Sequence, residues 1–259
     1  MPDNVVELRH KVATSMRILG MQGLVRDING HVSVRIPGSD EMFIRCRGGN
    51  ERGLLYTDVG QIRRLDFNGK GPGLGDDHMA PLELPIHGEI YKARPEVQAV
   101  VHAHPYASVV CGILGIEFRP IYGAFDPSGL GIAAQGVPVY PRAVLINRPE
   151  LGADLIAAMG NRNLTLMKGH GITVVGPSVE AATLLAIRLE NLASMLLDIA
   201  RIGRDAPSLS QEDMDAFRRA TEPGGGGGGG IPRAEEWTWN HYVQLLKDGI
   251  GMPEDLDAP

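Results

Sequence analysis

Arg94-Pro95-Glu96-Val97-Gln98-Ala99-Val100-Val101-His102-Ala103-His104-Pro105 passes from helix-breaking to strand-forming residues within a few positions. A residue that precedes proline is pushed out of the helical region, so Arg94-Pro95 ends whatever helix comes before it. Val97 to His102 is apolar, β-branched and strand-like. On an extended strand, side chains two apart point to the same face, so His102 and His104 project together. Two imidazoles placed this way can take adjacent positions on one cation. They read equally as ordinary core or surface histidines.

Working outward, Pro85 suits the first turn of a helix that runs to about Ala93. Val5, Leu8, Val12, Met16 and Leu19 recur at three- and four-residue spacing, which predicts an amphipathic helix over 5–22, stopped by Gly20 and Gly23. His31 to Ile36 alternates and predicts a strand. Met42-Phe43-Ile44-Arg45 and Gly53-Leu54-Leu55-Tyr56 predict two more, and the Gly- and Asp-rich residues 69–80 a loop. Downstream, helices are expected over 106–114 and 150–159. Leu164 to Met167 and Ile172 to Gly176 form a hairpin about the turn Lys168-Gly169-His170-Gly171. Ser178 caps a long helix from about Val179 to Arg201. Strands alternating with helices imply an α/β or α+β domain, with helices laid over a central sheet.

Seven consecutive glycines, Gly224 to Gly230, cannot pack and predict a tether over 223–232. That divides the chain into a catalytic domain over 1–222, the tether, and a helical tail over 233–259. In the tail Trp237, Trp239, Tyr242, Leu245 and Leu246 form an aromatic face that docks on its own domain, on a neighbouring subunit, or over a site.

A chain of 259 residues with 43% hydrophobic and 22% charged residues can bury a sizeable core. Net charge is -6 and no Lys/Arg-rich run occurs, which argues against nucleic-acid or anionic-membrane partners. Two cysteines, Cys46 and Cys111, make no disulfide framework. Cys111 lies in an apolar run and is expected to be a buried thiol. No signal-like start or membrane-length apolar run is visible, so a cytoplasmic location is expected.

Four segments resemble the class II aldolase/adducin family: Asn29 to Arg35, Glu83 to Tyr91, Arg94 to His104, and Lys168-Gly169-His170-Gly171 with Gly176 and Glu180-Ala181-Ala182. Their order and separations match over about residues 5–200. The resemblance implies a three-layer α/β/α fold with a mostly antiparallel central sheet, often a homotetramer with sites near subunit interfaces. It implies that His102, His104 and His170 hold one divalent metal ion per subunit. It also implies that Glu83 is the acid/base carboxylate beside the metal, sometimes a fourth ligand. On its own, Glu83 reads as a helix N-terminal carboxylate. Three imidazoles leave a position open for water or substrate, as in catalytic sites. Zinc or manganese fits such ligands, with iron or cobalt also possible.

The sugar-phosphate aldolases of the family carry Asn in a Gly-Asn motif where this chain has His31. Their phosphate-binding turn reads here as Tyr56-Thr57-Asp58-Val59-Gly60. The Asp58 charge would repel a phosphate. The Gly-His-Val-Ser-Val-Arg form of residues 30–35 resembles more the branch that includes decarboxylases of hydroxy-aromatic and hydroxypyridine dicarboxylates. Expected roles follow: Glu83, His31 and Tyr122 in catalysis; Arg35, Ser33 and Gly30 at a small carboxylate substrate. Arg45 and Arg47 read as strand-edge residues or carboxylate contacts, and His87 as a neighbour of the site or a packing residue. The expected activity is a metal-dependent carbon–carbon lyase that decarboxylates a small hydroxylated aromatic or heteroaromatic acid. Rival expectations are a retro-aldolase of an unphosphorylated hydroxy-oxo acid, a non-haem iron oxygenase, and a non-enzymatic adducin-like protein.

Overall fold

The computed structural model describes residues 3–49, 51–75, 77–221 and 230–249. Helix α1 (Asp3–Met21) leads into strands β1 (His31–Arg35), β2 (Glu41–Arg45) and β3 (Arg47–Gly48). Two short 3-10 turns precede β4 (Ile62–Asp66) and β5 (His78–Met79). Then come α2 (Leu84–Ala93), β6 (Ala99–Ala103), α3 (Tyr106–Leu114), α4 (Pro127–Gln135), β7 (Val139–Tyr140) and α5 (Pro149–Met159). The hairpin β8 (Leu164–Met167) and β9 (Gly171–Gly176) is followed by α6 (Val179–Ile202), α7 (Gln211–Thr221) and α8 (Gly230–Lys247).

The main sheet has seven strands in the order β4-β2-β1-β6-β9-β8-β7. Every pairing is antiparallel except β7 with β8. Side-chain alternation divides the core between its two faces. Val32, Val34, Ala99, Val101 and Ala103 pack with α1, α3 and α6. Met42, Ile44, Val100, Met167 and Val175 pack with α2 and α5. Helices therefore cover both faces, and the fold is the expected three-layer α/β/α arrangement. Burying a Leu, Ile or Val side chain contributes about 1.5–3 kcal/mol, so both faces are strongly stabilising.

Local chemistry sets most boundaries. Ser178 Oγ accepts the Ala181 N–H at 3.0 Å, and α6 closes at Gly203 with φ of 71°. The strand expected over 53–56 is instead the 3-10 turn Leu54–Tyr56. Gly53 there takes φ of 90° while its N–H donates to the Glu51 carboxylate, which is incompatible with an extended run. The outer strand of that region is β4, where Arg63 and Arg64 hide the pattern.

Residues 222–229, most of the expected tether, lie outside the described residues, as do 250–259. Residues 230–232, placed in the tether by sequence, begin α8. Trp239, 9% exposed, enters the α1/α6 core with Tyr242, Val243 and Leu246 packed beside it. Trp237 stays exposed.

Candidate metal centre

Three separate pieces of backbone bring the site together on the α2 side of the sheet. β6 supplies His102 near its end and His104 just beyond it. The His104 N–H donates to the Leu24 carbonyl at 3.1 Å, which ties this strand end to the loop after α1. Gly30 lets that loop lie close, with φ of 121°. A Cβ there would stand 2.6 Å from Val25 and 3.2 Å from the His102 carbonyl oxygen. The β8–β9 hairpin supplies His170 in a turn where Gly169 has φ of 63°. Gly171 presses against β6 so tightly that a Cβ would meet the Ala103 carbonyl at 2.3 Å. Glu83 stands at the N-terminus of α2, but its carboxylate caps no helix N–H. It turns inward, and its Oε1 accepts the Ile146 N–H at 2.9 Å.

The four side chains converge. One possible ligand atom from each of Glu83, His102, His104 and His170 lies within 4.8 Å of every other. Nε2 of His102 and Nε2 of His104 are 2.9 Å apart. Glu83 Oε2 lies 3.4 Å from His102 Nε2, and Oε1 lies 3.3 Å from His170 Nε2.

These residues fit a divalent cation on two independent counts. His102 Nδ1 lies 2.9 Å from the Ile172 carbonyl, which accepts its N–H and leaves the Nε2 lone pair facing the centre. Both ring nitrogens of His170 are buried with no hydrogen-bond partner. An unpaired buried polar group is costly, and a cation at the centre would satisfy Nε2, the nitrogen that lies beside Glu83. Three imidazole nitrogens and a carboxylate suit zinc, manganese or iron, and the donor set alone does not choose among them.

Electrostatics reinforce this arrangement. Burial pushes the Glu83 carboxyl upward, but the facing His102 and His170 rings outweigh it and hold Glu83 well below the usual carboxylate range. Burial, with His102 and His170 adding, lowers His104 to about 3. Burial likewise lowers His102, against the pull of Glu83. A carboxylate held ionised beside the lowered His102 and His104 rings is ready for a metal, because ligating histidine must be unprotonated.

Other expected site residues fall into two groups. His31 is 6% exposed and pairs directly with His102 across β1 and β6, with ring centroids 5.0 Å apart. Ser33 lies deeper, fully buried, its hydroxyl 2.6 Å from His87 Nδ1 and 2.8 Å from the Tyr91 hydroxyl. Its hydroxyl is a link in a buried polar chain. Gly30 is required by close packing, as above, and offers no side chain. Arg35, expected at a substrate carboxylate, instead donates to the carbonyls of Val97, Tyr91 and Arg94 and stacks over Phe67 and Tyr91. Those carbonyls belong to the end of α2 and the turn after it, so Arg35 closes that helix.

Tyr122 packs against Phe125 with centroids 5.5 Å apart, and its hydroxyl lies where a Cβ on Gly129 would be. Among the described residues it makes no hydrogen bond or ring contact with the metal quartet. Burial and the Asp126 charge push its phenol upward. Arg45 is buried in a pair with Glu51, and Arg47 donates to the Ile28 carbonyl. His87 and Tyr91 are the residues whose part sequence reading underrated. The signal was present: 83, 87 and 91 recur every four residues and share one face of α2.

Residues 10–197 match the family model described as Class II Aldolase and Adducin N-terminal domain. Among characterised relatives, the chain is 43% identical over 209 residues to a 3,4-dihydroxyphthalate decarboxylase of Arthrobacter keyseri, covering 80% of this chain and 84% of that protein. It is 43% identical over 211 residues to a protein of the same name from Terrabacter sp., covering 81% and 88%. Its fold is similar to an aldolase II superfamily protein from Pseudomonas syringae, with TM-score 0.77 and 20% identity over 97% of this chain and 96% of that one.

Proposed function

This chain belongs to the class II aldolase and adducin family, and on that premise we propose that it is a metal-dependent carboxy-lyase acting on a hydroxylated aromatic dicarboxylate of the 3,4-dihydroxyphthalate type. The observation that carries this reading is the 43% identity to 3,4-dihydroxyphthalate decarboxylases over four-fifths of the chain. The quartet Glu83, His102, His104 and His170 supports it, since a purely structural protein has no need to keep such a site intact.

When bound, the metal supplies Lewis acidity to the ring hydroxyl and the adjacent carboxylate. Glu83, held ionised, takes the proton of that hydroxyl. The same proton passes to the ring carbon that bears the departing carboxylate. The carbon–carbon bond then breaks, its electron pair restores the aromatic ring, and CO2 leaves. The ring oxygen regains a proton from solvent. His31, beside His102, faces the space in which the substrate's anionic oxygens would lie.

Zinc or manganese is the metal we propose, with iron or cobalt also compatible with the donor set, and a homo-oligomer the assembly. Exposed Ile113 and Leu114 on α3, with Val139 on β7, support a subunit interface there. No helix among the described residues is long and apolar enough to cross a membrane.

The test is metal analysis of the purified protein combined with assays of hydroxylated phthalates for CO2 release. Metal together with CO2 supports the reading. Pyruvate or an aldehyde as product would replace it with retro-aldol cleavage, and oxygen consumption with iron would replace it with an oxygenase. Absence of bound metal in protein purified without chelator would remove it.

A further inference from the structure

β1 sends His31, Ser33 and Arg35 to the α2 side of the sheet, and α2 returns His87 and Tyr91 one turn apart. Between them runs an unbroken chain. The Tyr91 hydroxyl is 2.8 Å from Ser33 Oγ, Ser33 Oγ is 2.6 Å from His87 Nδ1, and His87 Nε2 is 2.7 Å from His31 Nδ1. All four residues are buried, and among the described residues no carboxylate hydrogen-bonds any of them.

A chain of neutral groups in this order has two self-consistent proton arrangements, because each imidazole carries one N–H and each hydroxyl one O–H. In the outward arrangement His31 donates from Nδ1, His87 donates from Nδ1 to Ser33, Ser33 donates to Tyr91, and Tyr91 must donate beyond the chain. The acceptor available there is the Gln98 carbonyl at 3.4 Å. In the inward arrangement Tyr91 donates to Ser33 at 2.8 Å, Ser33 to His87 Nδ1, and His87 Nε2–H to His31 Nδ1. Hydroxyl hydrogen bonds peak near 2.7–2.8 Å and are weak at 3.4 Å. Tyr91, 1% exposed, has no better acceptor among the described residues, whereas His31, 6% exposed at the other end, can give an N–H to water or to a ligand, so the inward arrangement is favoured. Its final member is then fixed: His31 must carry its own proton on Nε2. That nitrogen has no partner among the described residues.

We infer that Tyr91, Ser33 and His87 are positioning residues that lock His31 as the Nε2–H tautomer, making it a neutral hydrogen-bond donor to an anionic substrate oxygen rather than a proton-transfer acid. Loss of the Nε2 proton would leave an imidazolate at His31 or, relayed through the chain, a phenolate on the buried Tyr91, so His31 binds and does not protonate. The proton arrangement stands on geometry alone. Only the identity of the anionic oxygen, a substrate carboxylate or phenolate, rests on the carboxy-lyase reading.

Neutron diffraction from deuterium-exchanged crystals of the metal-loaded protein reads the arrangement directly. Deuterium is expected on Nε2 of both His31 and His87, with the Ser33 deuteron directed at His87 Nδ1. Deuterium on Nδ1 of His31, alone or together with Nε2, overturns the inference. This outcome does not depend on any activity, so it separates failure of the inference from failure of the proposed reaction. In the metal-loaded Ser33→Ala variant, His31 is no longer held in one tautomer. KM for the dicarboxylate is then expected to rise about tenfold, with a smaller fall in kcat and the metal content of the parent. A fall in kcat at constant KM, or kinetics identical to the parent, overturns the donor role.

Discussion

His31 and His102 are directly opposed across β1 and β6, their rings 5.0 Å apart and inclined at 31°. One belongs to the metal quartet and the other does not, so substitution should separate metal binding from turnover. In His31→Ala the metal content should stay at that of the parent, while kcat/KM for the aromatic dicarboxylate falls about 100-fold, the scale of a lost donor to developing charge. Elemental analysis beside a CO2 assay makes the comparison. Loss of metal in this variant would place His31 among the ligands instead.

Metal removal should cost stability as well as activity. The buried His170 ring makes no hydrogen bond and meets only the Glu83 carboxylate at 3.3 Å, so a cation at the centre would satisfy its Nε2. Ligand in thousandfold excess over Kd stabilises by about 4 kcal/mol, which at 2–4 °C per kcal/mol for a chain of this size is a shift of roughly 10 °C in Tm. Thermal scans with chelator and with graded zinc or manganese check this. A Tm indifferent to metal would mean that the quartet does not bind one.

Acid should destabilise the metal-free protein through its buried imidazoles. Burial, with His102 adding, lowers His87 from 6.5 to about 3. Between those values the unfolded chain carries a proton that the folded chain does not. This stability is therefore fully present above about pH 6.5 and is lost as pH falls toward 3, at about 1.4 kcal/mol per pH unit for this one group. Urea titrations across that window should give a shallower slope in His87→Gln. An unaltered slope would show that His87 already takes up its proton in the folded state.

Gly171 sets how closely the hairpin approaches β6. In Gly171→Ala the new methyl would lie 2.3 Å from the Ala103 carbonyl oxygen, so the hairpin must shift and carry His170 with it. Stability should fall by about 1–3 kcal/mol and metal affinity by at least tenfold. Isothermal titration with zinc reads the second effect, and parental affinity would show that the hairpin gives way without moving His170.

Much of this architecture is legible in the sequence because it is written in local rules. Arg94-Pro95 closes α2, Ser178 opens α6, and the alternation through Val100-Val101-His102 marks a central strand with its two faces. Spacing reached His102 and His104 alone, since Glu83 and His170 join them only through the tertiary fold, and the family resemblance supplied that link. What stayed hidden lacked a periodic signal. β4 is an outer strand with two arginines, α4 carries two glycines within its nine residues, and α7 is polar. Arg35 looked free because a cation on a strand gives no sign of the helix-end carbonyls that occupy it. Ser33 and Tyr91 gave no hint of their chain to His31, which exists only once β1 lies beneath α2.

His102 holds the Ile172 carbonyl through one nitrogen and turns the other toward Glu83 and His104, so a single imidazole belongs both to the β6–β9 ladder and to the site. A slip of one residue in that ladder would swing it to the opposite side of the sheet, beneath α1 and α6. A misaligned sheet would therefore be unable to load metal at all. Occupancy of this centre is a readout of folding fidelity, and a preparation enriched on its bound metal is selected at the same step for correct strand registration.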